Sequence, residues 1–160
     1  MRYVIKQKAW ALSDMFKIFD DQEQPVYQIK GKIFTMGEKL SFQNMEGNEL
    51  AHINQKLLSL KPKYEIFRGD NHFAWVIKEF SLLNNKFTLD VPGDDDYKIE
   101  GDFWEYEYIF TRSGEVVATV SKKLATQTDT YDVDIVGGED SIAILATVIV
   151  VDMICHHAHK

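Results

Sequence analysis

"GGEDSIAILATVIVVDMICHHAHK", residues 137–160, decides how the rest of the chain is read. From Ile142 to Val151 it carries no charge and a single hydroxyl, Thr147. A membrane span needs about 20 apolar residues, and Asp152 interrupts this run too early. As a strand, residues 142–154 would reach roughly 43 Å at about 3.3 Å per residue. That is longer than a domain of this size is wide. As a helix they would reach roughly 20 Å at about 1.5 Å per residue. The length predicts a helix over 142–154, against the β-leaning preference of Ile, Val and Thr. Gly137 and Gly138 break the preceding strand. Asp140 or Ser141 caps the first turn, and Glu139 and Asp140 suit its positive end. The helix is apolar all round, and such a helix is buried on every side. Asp152 is read as the point where it emerges, within i, i+4 reach of His156.

Something must surround this helix, and the upstream sequence supplies strands. Short alternating runs stand out: "KLSFQN", "ELAHINQ", "KYEIFR", "FAWVIK", "KFTLDV", "EYEYIF", "EVVATVS" and "YDVDIV". Weaker runs lie at 2–6, 15–19 and 26–30, bringing the count to about twelve. "NMEGNE", "RGDN", "LNNK", "VPGDDD", "EGD" and "RSGE" are the turns. Strands of this number and spacing predict an antiparallel sandwich or barrel. About twelve strands leave room along a barrel axis, because interior width grows with strand number. An all-apolar helix fills that room. The fold class is therefore mainly β: a closed antiparallel barrel of about twelve strands around a buried C-terminal hydrophobic helix.

An internal repeat agrees. "GNELAHINQKLLSLKPKYEIF" from Gly47 aligns without a gap on "GEVVATVSKKLATQTDTYDVD" from Gly114. Gly47, Ala51, Lys56, Leu57 and Tyr64 fall on Gly114, Ala118, Lys123, Leu124 and Tyr131. A looser third copy begins at Ala74. Each unit reads as a strand, a lysine-bearing turn and a strand opened by an aromatic residue. A barrel can be assembled from such repeated hairpins.

The 160 residues fit one domain, 1–160, and the 45% hydrophobic content supplies a core without disulfides or a structural metal. Cys155 is the only cysteine, which fits a reducing compartment. Arg2, Lys6 and Lys8 interrupt the N-terminus before a secretory h-region forms, so a cytoplasmic location is expected. The net charge of −7 argues against nucleic-acid binding, which needs a basic footprint.

Several stretches resemble the LURP-one-related (LOR) family, which shares the Tubby C-terminal-like fold with phospholipid scramblases. They are "YVIKQK" (3–8), "FKIFDDQEQPVYQIKGKIF" (16–34), "GNELAHINQKLLSLKPKYEIF" (47–67) and the terminal apolar helix. The resemblance implies a twelve-stranded barrel around a central hydrophobic helix. It implies no defined activity and no catalytic residue. Tubby proteins bind phosphoinositides, and scramblases add a membrane anchor and a calcium-responsive segment; neither addition is expected here.

Candidate chemistry is sparse. In "CHHAHK", Cys155 and His159 share a helical face and could ligate one metal ion, but a frayed, solvated terminus explains the tail more simply. "DVPGDDDYKIEGD" lacks the EF-hand order and reads as a solvated turn. In "DFWEYEYIF", Glu105 and Glu107 share one strand face, with Trp104, Tyr106 and Tyr108 on the other. Two carboxylates near aromatics suggest a glycosidase, but an exposed charged face over a buried aromatic one is the simpler account. Lysines recur at strand ends: Lys30, Lys32, Lys39, Lys56, Lys61, Lys63, Lys122 and Lys123. Lys56, Lys61, Lys63, Lys122 and Lys123 form the candidate anion patch, since clustered cations suit phosphate-bearing head groups.

No nucleophile elbow, phosphate loop or HExxH is present. The expected function is a non-enzymatic binding or scaffold module, with no cofactor and an anionic ligand or lipid head group as partner. A protein-interaction module without a small ligand is the alternative, and an enzyme at the barrel mouth the lesser one.

Overall fold

A computed structural model of the protein describes residues 1–7, 14–32, 36–80, 85–93, 95–122 and 130–156. The first half of the strands are β1 (Arg2–Gln7), β2 (Asp14–Phe19), β3 (Pro25–Gly31), β4 (Lys39–Asn44), β5 (Glu49–Gln55) and β6 (Lys63–Arg68). The second half are β7 (Asn71–Glu79), β8 (Lys86–Asp90), β9 (Tyr97–Asp102), β10 (Glu107–Arg112), β11 (Glu115–Lys122) and β12 (Thr130–Ile135). The helix α1 (Ser141–His156) ends the described chain. Every strand pairs antiparallel with its sequence neighbours, and β1 pairs with β12, so the sheet closes into a barrel without an edge.

The helix occupies the axis. Alternating strand residues such as Ile5, Ile18, Ile53, Ile66, Val76, Leu89, Phe110 and Val133 point inward and are buried with it. Residues 143–153 of α1 are all buried. Its one mid-helix hydroxyl is satisfied in place, Thr147 Oγ1 donating to the Ala143 carbonyl at 2.7 Å. Asp140 caps it: the carboxylate accepts from Ala143 N–H at 3.1 Å, and the Asp140 carbonyl accepts from Ile144 N–H.

The repeat is structural. Ile53 lies opposite Ile66 in β5–β6, and Val120 lies opposite Val133 in β11–β12. Val76 lies opposite Leu89 in β7–β8, so the third copy keeps the same register. β5–β6 and β11–β12 stand six strands apart in a ring of twelve, on opposite walls.

Four expectations need correction. The acidic stretch "DVPGDDDYKIEGD" is not all turn: Tyr97–Asp102 forms β9, with Tyr97 and Ile99 buried. Its alternation is short and hidden by flanking Asp residues. "DFWEYEYIF" is not one strand. Residues 103–106 form a turn, Trp104 is exposed, and β10 starts at Glu107. Asp152 does not mark an exit; it is 2% exposed, because the Tyr106 hydroxyl reaches it from that turn and donates at 3.0 Å. The helix end is not frayed as far as His156. Cys155 is buried, and His156 stacks on Tyr106 with its Nε2 3.0 Å from the Phe103 carbonyl. His157 and His159 lie outside the described residues.

Candidate functional site

In an up-and-down barrel, loops after odd strands gather at one mouth and loops after even strands at the other. α1 begins at the even-loop mouth and ends at the odd-loop mouth, where Met153 and Ile154 line the rim cavity described below. The two mouths differ in charge.

The even-loop mouth is acidic. Its loops carry Asp20, Asp21, Glu23, Glu46, Asp70, Asp95, Asp96, Glu139 and Asp140, with no lysine or arginine among the described loop residues. The three arginines are held at or near this end by acids. Arg2 pairs with Asp134 at 2.9 Å, Arg68 with Asp140 at 2.6 Å and Arg112 with Glu139 at 3.2 Å. Tyr97, bonded to Glu139 at 2.8 Å, has its hydroxyl pushed up to about 12, first by burial and then by that carboxylate.

The odd-loop mouth carries a lysine cluster at the β5–β6 loop, while its β9–β10 turn carries Glu105. The β5–β6 loop, 56–62, borders a cavity of about 650 Å³. Four lysines line it, Lys56, Lys61, Lys63 and Lys78, against one carboxylate, Glu38. Backbone bonds hold the loops in place: Lys56 N–H to the Lys63 carbonyl at 2.9 Å, Lys78 N–H to Pro62 at 2.9 Å, and Gln55 N–H to Glu38 at 2.8 Å. Lys61 pairs with Glu79 at 2.5 Å, and the Lys63 ammonium lies 4.5 Å from the centre of the Trp75 ring. Lys56 and Lys78 have no ion-pair partner among the described residues. Tyr64, beneath them, has its hydroxyl raised by burial and then by Glu38, so it stays a neutral donor.

The structure therefore brings together Lys56, Lys61 and Lys63, and adds Lys78. Lys122 ends β11 on the opposite wall, and Lys123 lies outside the described residues. Lys30, Lys32 and Lys39 belong to the neighbouring β3–β4 hairpin. A signal for Lys78 was present: aligned on the repeat, it shares the position of Gln55 and Lys122 near the strand end, each opposite an aromatic residue on the next strand.

Leucines on the same loop went unread. Leu58 and Leu60 are 106% and 95% exposed, and Leu57 is exposed as well. Leu58 also has φ +57°, a left-handed conformation unfavourable for a branched side chain. Met36 and Phe80, in the loops on either side, are 82% and 72% exposed.

The other sequence candidates stay apart from this rim. Glu105 and Glu107 are exposed, one in the turn and one on β10. Burial pushes the Cys155 thiol up to about 11, with Lys78 opposing and Asp152 adding, so at neutral pH it is a protonated core group and a poor metal ligand. Among the described residues, no three His, Cys, Asp or Glu side chains converge as a metal set. No described helix is long and apolar enough to cross a membrane.

The family model for LURP-one-related proteins matches residues 1–152. "Uncharacterized protein YxjI" of Bacillus subtilis (strain 168) is 33% identical over 153 residues, covering 96% of this chain and 93% of that one. An X-ray structure of an Arabidopsis thaliana protein superposes with a TM-score of 0.68 at 14% identity, covering 94% of this chain and 87% of that one. At that identity the likeness speaks for the fold.

Proposed function

Because the chain belongs to the LURP-one-related family, a family resemblance that implies no defined reaction, we propose that it is a cytoplasmic, non-catalytic binding module. It takes an anionic, phosphate-bearing ligand, lipid head groups included, at the lysine-lined mouth. The observation that carries this reading is the separation of charge along the barrel axis. Four lysines converge on one rim cavity while the loops of the other mouth are acidic.

A net charge of −7 opposes approach to an anionic surface only if the charge is spread evenly. Here it is not. The 16-residue helix that separates the mouths is roughly 24 Å long. Screening falls off over about 8–10 Å at physiological salt. A ligand at the lysine rim therefore feels the lysines and little of the acidic end. Lys56 and Lys78 carry the most available charge, since Lys61 is met by Glu79 and Lys63 is held over the Trp75 ring.

The test is titration with soluble inositol polyphosphate and with inorganic phosphate at low salt. The expected result is saturable binding, weakened roughly tenfold or more by Lys56→Glu with Lys78→Glu, as charge-assisted contacts are lost. Lys122→Glu, on the far wall, should leave it unchanged. Equal binding by wild type and the double variant would refute the site. A second reading, a protein-interaction module, is favoured by the exposed leucines of the same loop.

A further inference from the structure

The lysines alone do not account for the 56–62 loop. Leu58 and Leu60 are fully exposed, and Leu57, which packs one side over Gly37, is exposed on the rest of its surface. Folding gains nothing from leucine at position 58. Its side chain buries no surface, and its φ of +57° costs about 1 kcal/mol that glycine or asparagine would avoid. A residue that is both strained and unburied is explained by something outside the fold. The loops on either side repeat the pattern with Met36 and Phe80. Backbone bonds from Gln55 to Glu38 and from Lys78 to Pro62 tie these three loops into one rim. The apolar tips thus lie next to Lys56, Lys61, Lys63 and Lys78.

We propose that this rim docks on an anionic bilayer, with Leu57, Leu58 and Leu60 inserted below the head groups and the lysines at phosphate level. The inference rests on the anionic-ligand reading and names its partner as a membrane surface. The occupant is argued from charge. Apolar tips ringed by lysine match a surface that is apolar beneath and negative at its face, and stable attachment needs both kinds of contact. Glu38 and Glu79 are the acids at this rim, and Glu79 is already paired with Lys61. The leucines hold the rim at the interface, so attachment should survive moderate salt better than a purely ionic contact.

Three variants of the chain test it against phosphatidylcholine vesicles with and without phosphatidylserine and a phosphoinositide. The first carries Leu57→Ser, Leu58→Ser and Leu60→Ser. The second carries Leu58→Cys labelled with an environment-sensitive fluorophore, Cys155 being buried. These side chains are exposed, so both should fold. A companion Leu58→Gly, free of the backbone strain, should melt at or above wild type yet bind vesicles more weakly.

The triple serine variant should lose roughly 100-fold in affinity for anionic vesicles, from three leucines each partly removed from water. Its affinity for soluble inositol polyphosphate should fall by less than about threefold, because the lysines that meet the phosphates are unchanged. The label should shift to the blue on anionic vesicles and not on neutral ones. Full vesicle affinity in the serine variant with an unshifted label would overturn insertion and leave the lysine site standing. Wild-type protein that binds neither vesicles nor soluble phosphates would overturn both readings. A concentration-dependent dimer of the wild type, dispersed by the serine substitutions, would overturn the membrane in favour of a second copy of this chain.

Discussion

Gly101 sits in the pairing between β9 and β10, opposite Tyr108, at φ +145°. A Cβ there would lie 2.5 Å from the Glu107 carbonyl oxygen and 2.6 Å from Tyr108 Cα. Both obstacles are backbone, so neither can swing away. Gly101→Ala should therefore cost about 1–3 kcal/mol from the backbone conformation alone, with the clash added. A urea midpoint measures it, and an unchanged midpoint would mean that the strands do not approach this closely. Tyr106, five residues on, is held at φ 56° with its ring stacked 4.5 Å from His156 and 4.7 Å from Tyr131. That arrangement carries its hydroxyl to Asp152. A carboxylate in the core is costly unless bonded, which is why sequence reasoning placed Asp152 at an exit. The partner comes from a turn 46 residues away, and no local pattern announces it. The exposed leucines were missed for a related reason. "KLLSLKPK" reads as a turn by its lack of period, and composition does not say which turn residues face water.

At the scale of elements, α1 was the most legible part of the chain. Length, lack of charge and the Gly-Gly break located it, and the observed helix is longer by one residue at its start and two at its end. Most strands were legible from alternation, and the matched register of the three repeat copies shows why the alignment held without gaps. β9 escaped because only Tyr97 and Ile99 of its six residues are buried. Ile149, with no exposed surface, tests the helix as core. Ile149→Asp should remove at least about 5 kcal/mol, from the lost apolar burial and an unpartnered carboxylate. That equals the whole stability of many domains, so unfolded or insoluble protein is expected. Ile149→Val should cost about 1 kcal/mol and leave a folded chain. Wild-type melting by the aspartate variant would show that the helix is not the core.

At the scale of the molecule, topology turns a weak sequence signal into a directional one. In sequence, basic and acidic residues are interspersed along the chain and sum to −7. Because the strands run up and down in order, alternate loops go to opposite ends. Among the described residues, the lysine-bearing loops open at the mouth where α1 ends, together with Glu38 and Glu105, and the remaining acidic loops open where it begins. The predicted patch was legible on the β5–β6 loop, where its lysines are close in sequence. Lys122 lies on the far wall because the repeat places β5–β6 and β11–β12 half a turn of the barrel apart.

The most direct test of this polarity is co-sedimentation of the wild-type chain with liposomes, neutral against anionic with phosphoinositide, at low and moderate salt. Binding to the anionic vesicles alone, weakened but not abolished at moderate salt, is the predicted result. Equal sedimentation with neutral and anionic vesicles, or none with either, would contradict the account.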